Sequence, residues 1–313
     1  MTRKQSEAQR VDGFDPEPMV IVPLKHPGRW TAIILVSVSI AAAARSAISN
    51  PEFQWPVVGR YLFNPLILNG LAQTLLITLV VMILATIGGT IAALMMLSKS
   101  RLLSAPAAIF VWFFRGTPAL VQLILWYNLS IVVKNLTLWL PGLGTVYSVP
   151  TNDVMTPLVS AIVALSLHES GYMAEIVRSG LKSVNRGQYE ASACLGMKPS
   201  LALRRIVLPQ AMRMIIPPTG NETINLLKTT SLVSIIAVGD LLYSAQSIYA
   251  RTFETIPLLL VVSFWYLAVV SVMSVGQFHL ERHFSRDERR SNPSMTKVIF
   301  GSLIKMRQKE ILA

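Results

Sequence analysis

The stretch "EASACLGMKPSLALRRIVLP", residues 190–209, carries three basic residues and two prolines inside a chain that is apolar on both sides of it. Glu190, Ala191 and Ser192 open it, Gly196 follows, and Ile206, Leu208 and Pro209 close it. Small residues at 191–193 let a helix backbone sit close to a partner. Glycine reaches the left-handed conformation that ends a helix. Pro199 stops that helix from continuing, and Pro209 marks a second break. The expected structure is a short helix standing off a membrane, shaped for a groove on a soluble protein.

The membrane follows from composition. The 313 residues are 52% hydrophobic and 14% charged, whereas soluble domains carry about 25% charged residues. Such a chain cannot cover itself with polar surface. The net charge of +12 would point to nucleic acid in a soluble protein; here the basic residues gather on one side of the membrane, and no nucleic-acid partner is expected. Cys194 is the single cysteine, which excludes an internal disulfide and a cysteine-based metal cluster. No metal site is expected. There is no GxxxxGK[ST] stretch, so the chain has no phosphate-binding loop of its own.

A spanning helix needs about 20 mostly apolar residues. Six segments qualify: 30–48, 68–97, 106–128, 154–177, 215–245 and 256–278. In the second, Ala85, Gly89 and Ala93 repeat every fourth position and predict close approach by another helix. With the N-terminus inside, the cytoplasmic pieces hold five Lys/Arg in 1–29, two in 98–105, seven in 178–213 and eight in 279–313. The external pieces hold only Arg45, Arg60, Lys134 and Arg251. The positive-inside rule then places both termini and residues 190–209 in the cytoplasm. Residues 30–44 run into "AAAARSA", as a cleavable signal does, but 29 residues with four acids precede them, and an uncleaved helix is expected. The tail "KVIFGSLIKMRQKEILA" mixes basic and apolar residues as an interfacial helix would; a plain polar tail is the alternative.

The spacing of the opening stretch resembles the EAA loop of ABC importer permeases: EAA, three residues, G, nine residues, I, one residue, LP. Ser192 stands where the second alanine would be. "NGLAQTL" (69–75), "FRGTPALVQ" (114–122), "AEIVRSGL" (174–181) and "LPQAMRMIIPPTGNETINLLKTTSL" (208–232) are similar to the polar amino-acid permeases of the histidine/glutamine type. The resemblance covers residues 66–280.

The resemblance implies a five-helix type I permease core (66–280); together with the hydropathy and charge pattern this predicts an all-α integral membrane protein of about six spans, with an extra N-terminal helix and its external loop (30–65), a cytoplasmic segment (1–29) and a basic tail (281–313). It implies a non-enzymatic permease subunit that moves a polar amino acid or related solute. Its partners would be ABC ATPase subunits, which hold the ATP and magnesium, a second permease, alike or different, and a periplasmic solute-binding protein. This chain itself would carry no cofactor. Glu190, Ala191, Ser192, Gly196, Ile206, Leu208 and Pro209 would contact the ATPase. Arg204 and Arg205 are candidates for the same contact or for lipid headgroups.

Ionisable residues at bilayer depth are costly unless they face protein or water, so they are the candidates for the substrate pathway. Arg115 is expected near mid-depth of the third span. His168, Glu169 and Glu175 lie on the fourth, and Glu222, Lys228 and Asp240 on the fifth. Relatives commonly carry an NSGAY-like stretch where this chain has "HESGY" (168–172), and an acid where it has Thr229. Arg115, Glu169, Tyr172, Lys228, Thr229 and Ser231 are the expected pathway residues, with Arg115 and Glu169 facing each other as an ion pair or as a zwitterion site. A self-contained ion-coupled secondary transporter and a membrane scaffold are the alternatives; the EAA loop argues against the secondary transporter.

Overall fold

The computed structural model describes residues 27–142 and 144–284. The N-terminal segment up to residue 26, expected in the cytoplasm, and the basic tail from 285, with its expected interfacial helix, lie outside the described residues. The chain divides between Phe53 and Gln54 into two compact units. The first holds α1 (Pro27–Ser49) and a single 3₁₀ turn, Pro51–Phe53. α1 carries no polar stripe, as suits a span surrounded by lipid.

The second unit starts at Gln54. It opens with α2 (Trp55–Leu62), whose Leu62 carbonyl accepts a bond from Trp265 Nε1 at 2.8 Å. α3 (Pro65–Met96) starts where Asn64 accepts the Leu66 N–H at 2.9 Å and Pro65 supplies a first residue that needs no N–H partner. α4 (Arg101–Gly116) and α5 (Ala119–Tyr127) meet at 104°. The break is local chemistry: Pro118 cannot donate to the ladder, and Thr117 before it is extended, as a residue preceding proline prefers. The short α6 (Leu129–Val132) leads into an antiparallel hairpin, β1 (Asn135–Leu140) and β2 (Gly144–Pro150), which pairs Leu138 with Tyr147. The hairpin turns through Gly142 and Gly144, both at positive φ, and was not foreseen in an all-α reading.

After α7 (Thr151–Val154), α8 (Pro157–Lys182) forms the centre of the unit, with α3, α4, α5 and α11 (Leu208–Thr229) packed on it. The small residues of α3 make the expected close approach. A Cβ on Gly89 would lie 2.8 Å from the Ala174 backbone nitrogen, and Ala85 and Ala93 are fully buried. The core of the unit gathers Ile77, Val81, Leu123, Leu165, Met173 and Leu226. Large apolar side chains such as Leu79, Ile83, Ile87 and Ile91 of α3 point outward, the pattern of a protein whose solvent is lipid.

α9 (Arg186–Cys194) and α10 (Pro199–Ala202) form the loop between α8 and α11. A 3₁₀ stretch, Thr230–Ile236, continues α11 to a break at Ala237, which is left-handed at φ 59°, before α12 (Leu241–Thr252), capped by Asp240, and α13 (Thr255–Phe284).

Three expectations need correction. The third span is a bent pair rather than one helix, so Arg115 sits in the last turn of α4 at the break and not halfway along a straight rod. The fifth span is likewise broken, with 43° between its halves. Among the described residues, three helices qualify as spans by length and apolar composition, or up to five if each bent pair is one span. α8 is long enough but too polar to be counted; its Ser160, Ser166, Glu169 and Ser170 are buried among neighbouring helices, where polar groups cost less than in lipid.

Candidate functional site

The loop of residues 183–207 is built by ordinary helix-end chemistry. Asn185 caps α9 by accepting the Gly187 N–H at 2.8 Å. Tyr189 Oη donates to the Leu181 carbonyl at 3.3 Å, which ties α9 to the end of α8. Ser192 is buried, and its hydroxyl donates to the Tyr189 carbonyl at 2.7 Å, so the hydroxyl that distinguishes it from alanine is satisfied within the helix. Gly196 has φ +70°. Its N–H bonds the Ala193 carbonyl at 2.9 Å, and the Met197 N–H bonds that of Ser192 at 3.0 Å. This pair of bonds is the Schellman ending that a left-handed glycine permits.

Pro209 does not break the chain as expected. Residues 203–207 form a π-turn, in which the Leu208 N–H reaches back to Leu203, and α11 follows directly. The wider turn accommodates a proline at the start of α11, where its missing N–H is not required. Gln210 Nε2 donates to the Ile206 carbonyl at 3.0 Å. Ile206 is half-buried, Leu208 and Pro209 are exposed, and Glu190, Ala191, Arg204 and Arg205 all face outward. Glu190 holds only an exposed bond to Arg186, at 3.0 Å.

The second group of expected residues does not converge on one point. Arg115 and Glu169 make no ion pair with each other. The Arg115 guanidinium instead lies over the Tyr172 ring, 5.3 Å from its centroid, a cation–π geometry. The physical reason is the break after Gly116: it leaves Arg115 exposed and one turn along α8 from Glu169. Glu169 is only 5% exposed, and its Oε1 has no hydrogen-bond partner; nor do Ser166 Oγ and Gln122 Oε1. Glu222 on α11 lies within electrostatic reach of Glu169. Glu175 binds Arg178 through both carboxylate oxygens, with Nε to Oε2 at 2.9 Å. Lys228, Thr229 and Ser231 come together with Asn225 and Leu232 around an open groove of about 430 Å³.

Gln122 was missed in the sequence. It is 2% exposed, and its Nε2 donates to the carbonyls of Phe114 and Thr117, both at 3.0 Å, and to Thr117 Oγ1 at 2.6 Å. It thus pairs the backbone groups that the Pro118 break frees. The one available signal was the proline four residues before it. His279 and His283 stand one turn apart on α13, yet among the described residues no group of three metal-ligating side chains exists.

A bundle of apolar helices with polar groups turned inward, joined by a short capped helix between α8 and α11, marks a membrane-embedded protein. Residues 85–286 match the family described as "Binding-protein-dependent transport system inner membrane component", and the chain belongs to that family. It is 41% identical over 277 residues to the arginine transport system permease protein ArgU of Corynebacterium glutamicum, covering 88% of this chain and 86% of the relative. It is 33% identical to the glutamate/aspartate import permease protein GltK of Escherichia coli O157:H7 (74% of this chain, 98% of the relative). It is 35% identical to the L-cystine transport system permease protein TcyB of Bacillus subtilis (72% and 88%). A solved amino acid ABC transporter with histidines superposes with a TM-score of 0.60 at 31% identity, over 71% of this chain and 95% of that one. The methionine transporter MetNI, at 18% identity and a TM-score of 0.55, shares the fold over 70% of this chain and 96% of its own. The chain is therefore a multi-pass inner-membrane permease subunit of an ABC importer, a transport component rather than an enzyme. None of these relatives supports the ion-coupled alternative.

Proposed function

We propose that this permease carries a polar amino acid or a related small solute into the cytoplasm, with both its termini and residues 183–207 on the cytoplasmic side. The observation that carries this reading is the capped α9 with its outward-facing Glu190 and Ala191, tied to the end of α8 through Tyr189 and followed by α10, which runs through the π-turn into α11. A helix fixed at both ends transmits a push that a flexible loop would absorb. The occupant of its outer face is an ABC ATPase subunit, which supplies ATP hydrolysis and binds magnesium. A second permease subunit and a periplasmic solute-binding protein complete the importer.

The names of the relatives support an amino acid as cargo, and arginine, glutamate/aspartate and cystine differ in side-chain charge. What these compounds share is the ammonium and carboxylate of the backbone. Unpartnered buried acceptors at Glu169 and Gln122 suit an ammonium, and the Lys228–Thr229–Ser231 groove and Arg115 suit a carboxylate. Arg115 stands against Tyr172 of α8, and each of these groups is taken as part of the path rather than of one closed pocket.

Uptake by the complete importer in proteoliposomes tests the reading. With its binding protein and external substrate, ATP inside should drive accumulation of at least one of arginine, glutamate, glutamine or cystine. Accumulation of a sugar but of no amino acid would overturn it.

A further inference from the structure

We infer that Gln277 on α13 fixes the pivot about which α11 passes on the motion of the cytoplasmic loop. The inference rests on the reading of that loop as the ATPase contact. It starts from Pro217 and Pro218, adjacent inside α11. Neither can supply the N–H that the carbonyls of Arg213 and Met214 would take in an unbroken helix, so α11 is soft to bending there.

The two halves of α11 have different attachments. On the loop side, Val207 and Ala211 are fully buried, and Ile215 packs into the notch left by Gly180 of α8. A Cβ on Gly180 would lie 3.1 Å from Ile215 Cδ1 and 3.3 Å from the Ala211 carbonyl. This half moves with the end of α8 and the loop. The far half carries Glu222 and the groove residues Lys228 and Thr229, and leads into Ser231 of the 3₁₀ stretch.

At the soft point itself, Gln277 Nε2 donates to the Pro217 carbonyl at 2.7 Å and to Glu281 Oε1 at 2.8 Å. Gly220, one turn further along α11, has no side chain, and a Cβ there would collide with the Gln277 carboxamide, whose Nε2 would be 3.0 Å away. The amide of Gln277 therefore fills the space that any side chain at 220 would need. A jointed rod converts a push at one end into rotation at the other only if the joint cannot slide. Gln277 holds the joint to α13, which makes it a positioning residue; it has no contact with the groove.

The complete importer with its ATPase and binding protein provides the test, read as ATP hydrolysed per substrate transported. Gln277→Leu should assemble, keep basal hydrolysis and raise this ratio roughly fivefold or more, the span of typical coupling effects. Gly220→Ala should do the same by expelling the amide, although alanine is the better helix former and helix propensity alone predicts no loss. The double variant should match either single one. Gln277→Lys keeps an N–H donor and an attraction to Glu281, and should retain coupling. An unchanged ratio in Gln277→Leu, where Gly196→Val uncouples the same complex, overturns the pivot and leaves the loop reading standing. If Gly196→Val also stays coupled, the loop reading falls and the pivot with it. Should Gln277→Leu fail to assemble, Gly220→Ala decides, and tight coupling there overturns the pivot.

Discussion

The Met197 N–H bonds the carbonyl of Ser192 at 3.0 Å, closing α9 around Gly196 at φ +70°. A β-branched residue in this conformation costs roughly 1–2 kcal/mol. Gly196→Val should therefore insert and express while the end of α9 is displaced. Substrate-stimulated ATP hydrolysis by the reconstituted complex should be lost, and full stimulation would show that the shape of this helix end does not matter.

Close helix contact on α3 gives a stability prediction. Gly89→Val would drive side-chain atoms into Met173 and the backbone of Ala174. Overpacking of this kind costs about 1–3 kcal/mol, so the thermal midpoint of the purified protein in detergent should fall. An unchanged midpoint would mean that α3 and α8 separate without penalty.

Gln122 offers a second stability test, at the bend. Gln122→Leu leaves the partly buried Phe114 and Thr117 carbonyls without their side-chain donor. Each stranded group costs about 1–3 kcal/mol. Expression should drop and proteolysis between α4 and α5 should rise; wild-type protease resistance would count against the role given to Gln122.

Topology can be read by labelling in a Cys194→Ala background. Lys182→Cys and Asn292→Cys should be protected from an impermeant thiol reagent applied outside, and Thr145→Cys, at the start of β2, should react. The distribution of Lys/Arg motivates the assignment. Outside labelling at 182 would put the loop where no ATPase resides.

Glu169 separates transport from architecture. It is buried and makes no ion pair with Arg115, so Glu169→Gln strands no opposing charge there. Thermal stability should be retained and uptake should fall at least about tenfold, as expected from losing a charge-assisted bond worth about 1.5–3 kcal/mol. Normal uptake of every substrate the binding protein accepts would remove Glu169 from the path.

Several features of this protein were fixed by local chemistry that a sequence displays. A run such as 65–96 is too apolar for water, Gly196 is free to be left-handed, and small residues at 85, 89 and 93 announce a close neighbour, because each property belongs to the residue or to its helical repeat. The family resemblance lay in the same kind of pattern, the spacing of Glu190, Gly196 and Pro209. The bends were half visible: Pro118 and the 217–218 pair mark where a helix is weak, but the 104° between α4 and α5 and the bonds of Gln122 to the freed carbonyls appear only in the folded chain. Only the tertiary structure decided that Arg115 turns to Tyr172 and not to Glu169, that Pro209 follows a π-turn without interrupting the rod, and that Gln277 fills the space beside Gly220. Those outcomes depend on the directions in which side chains leave separate helices, and on contacts such as Gln277 with Pro217, 60 residues apart in the chain, which no local pattern encodes.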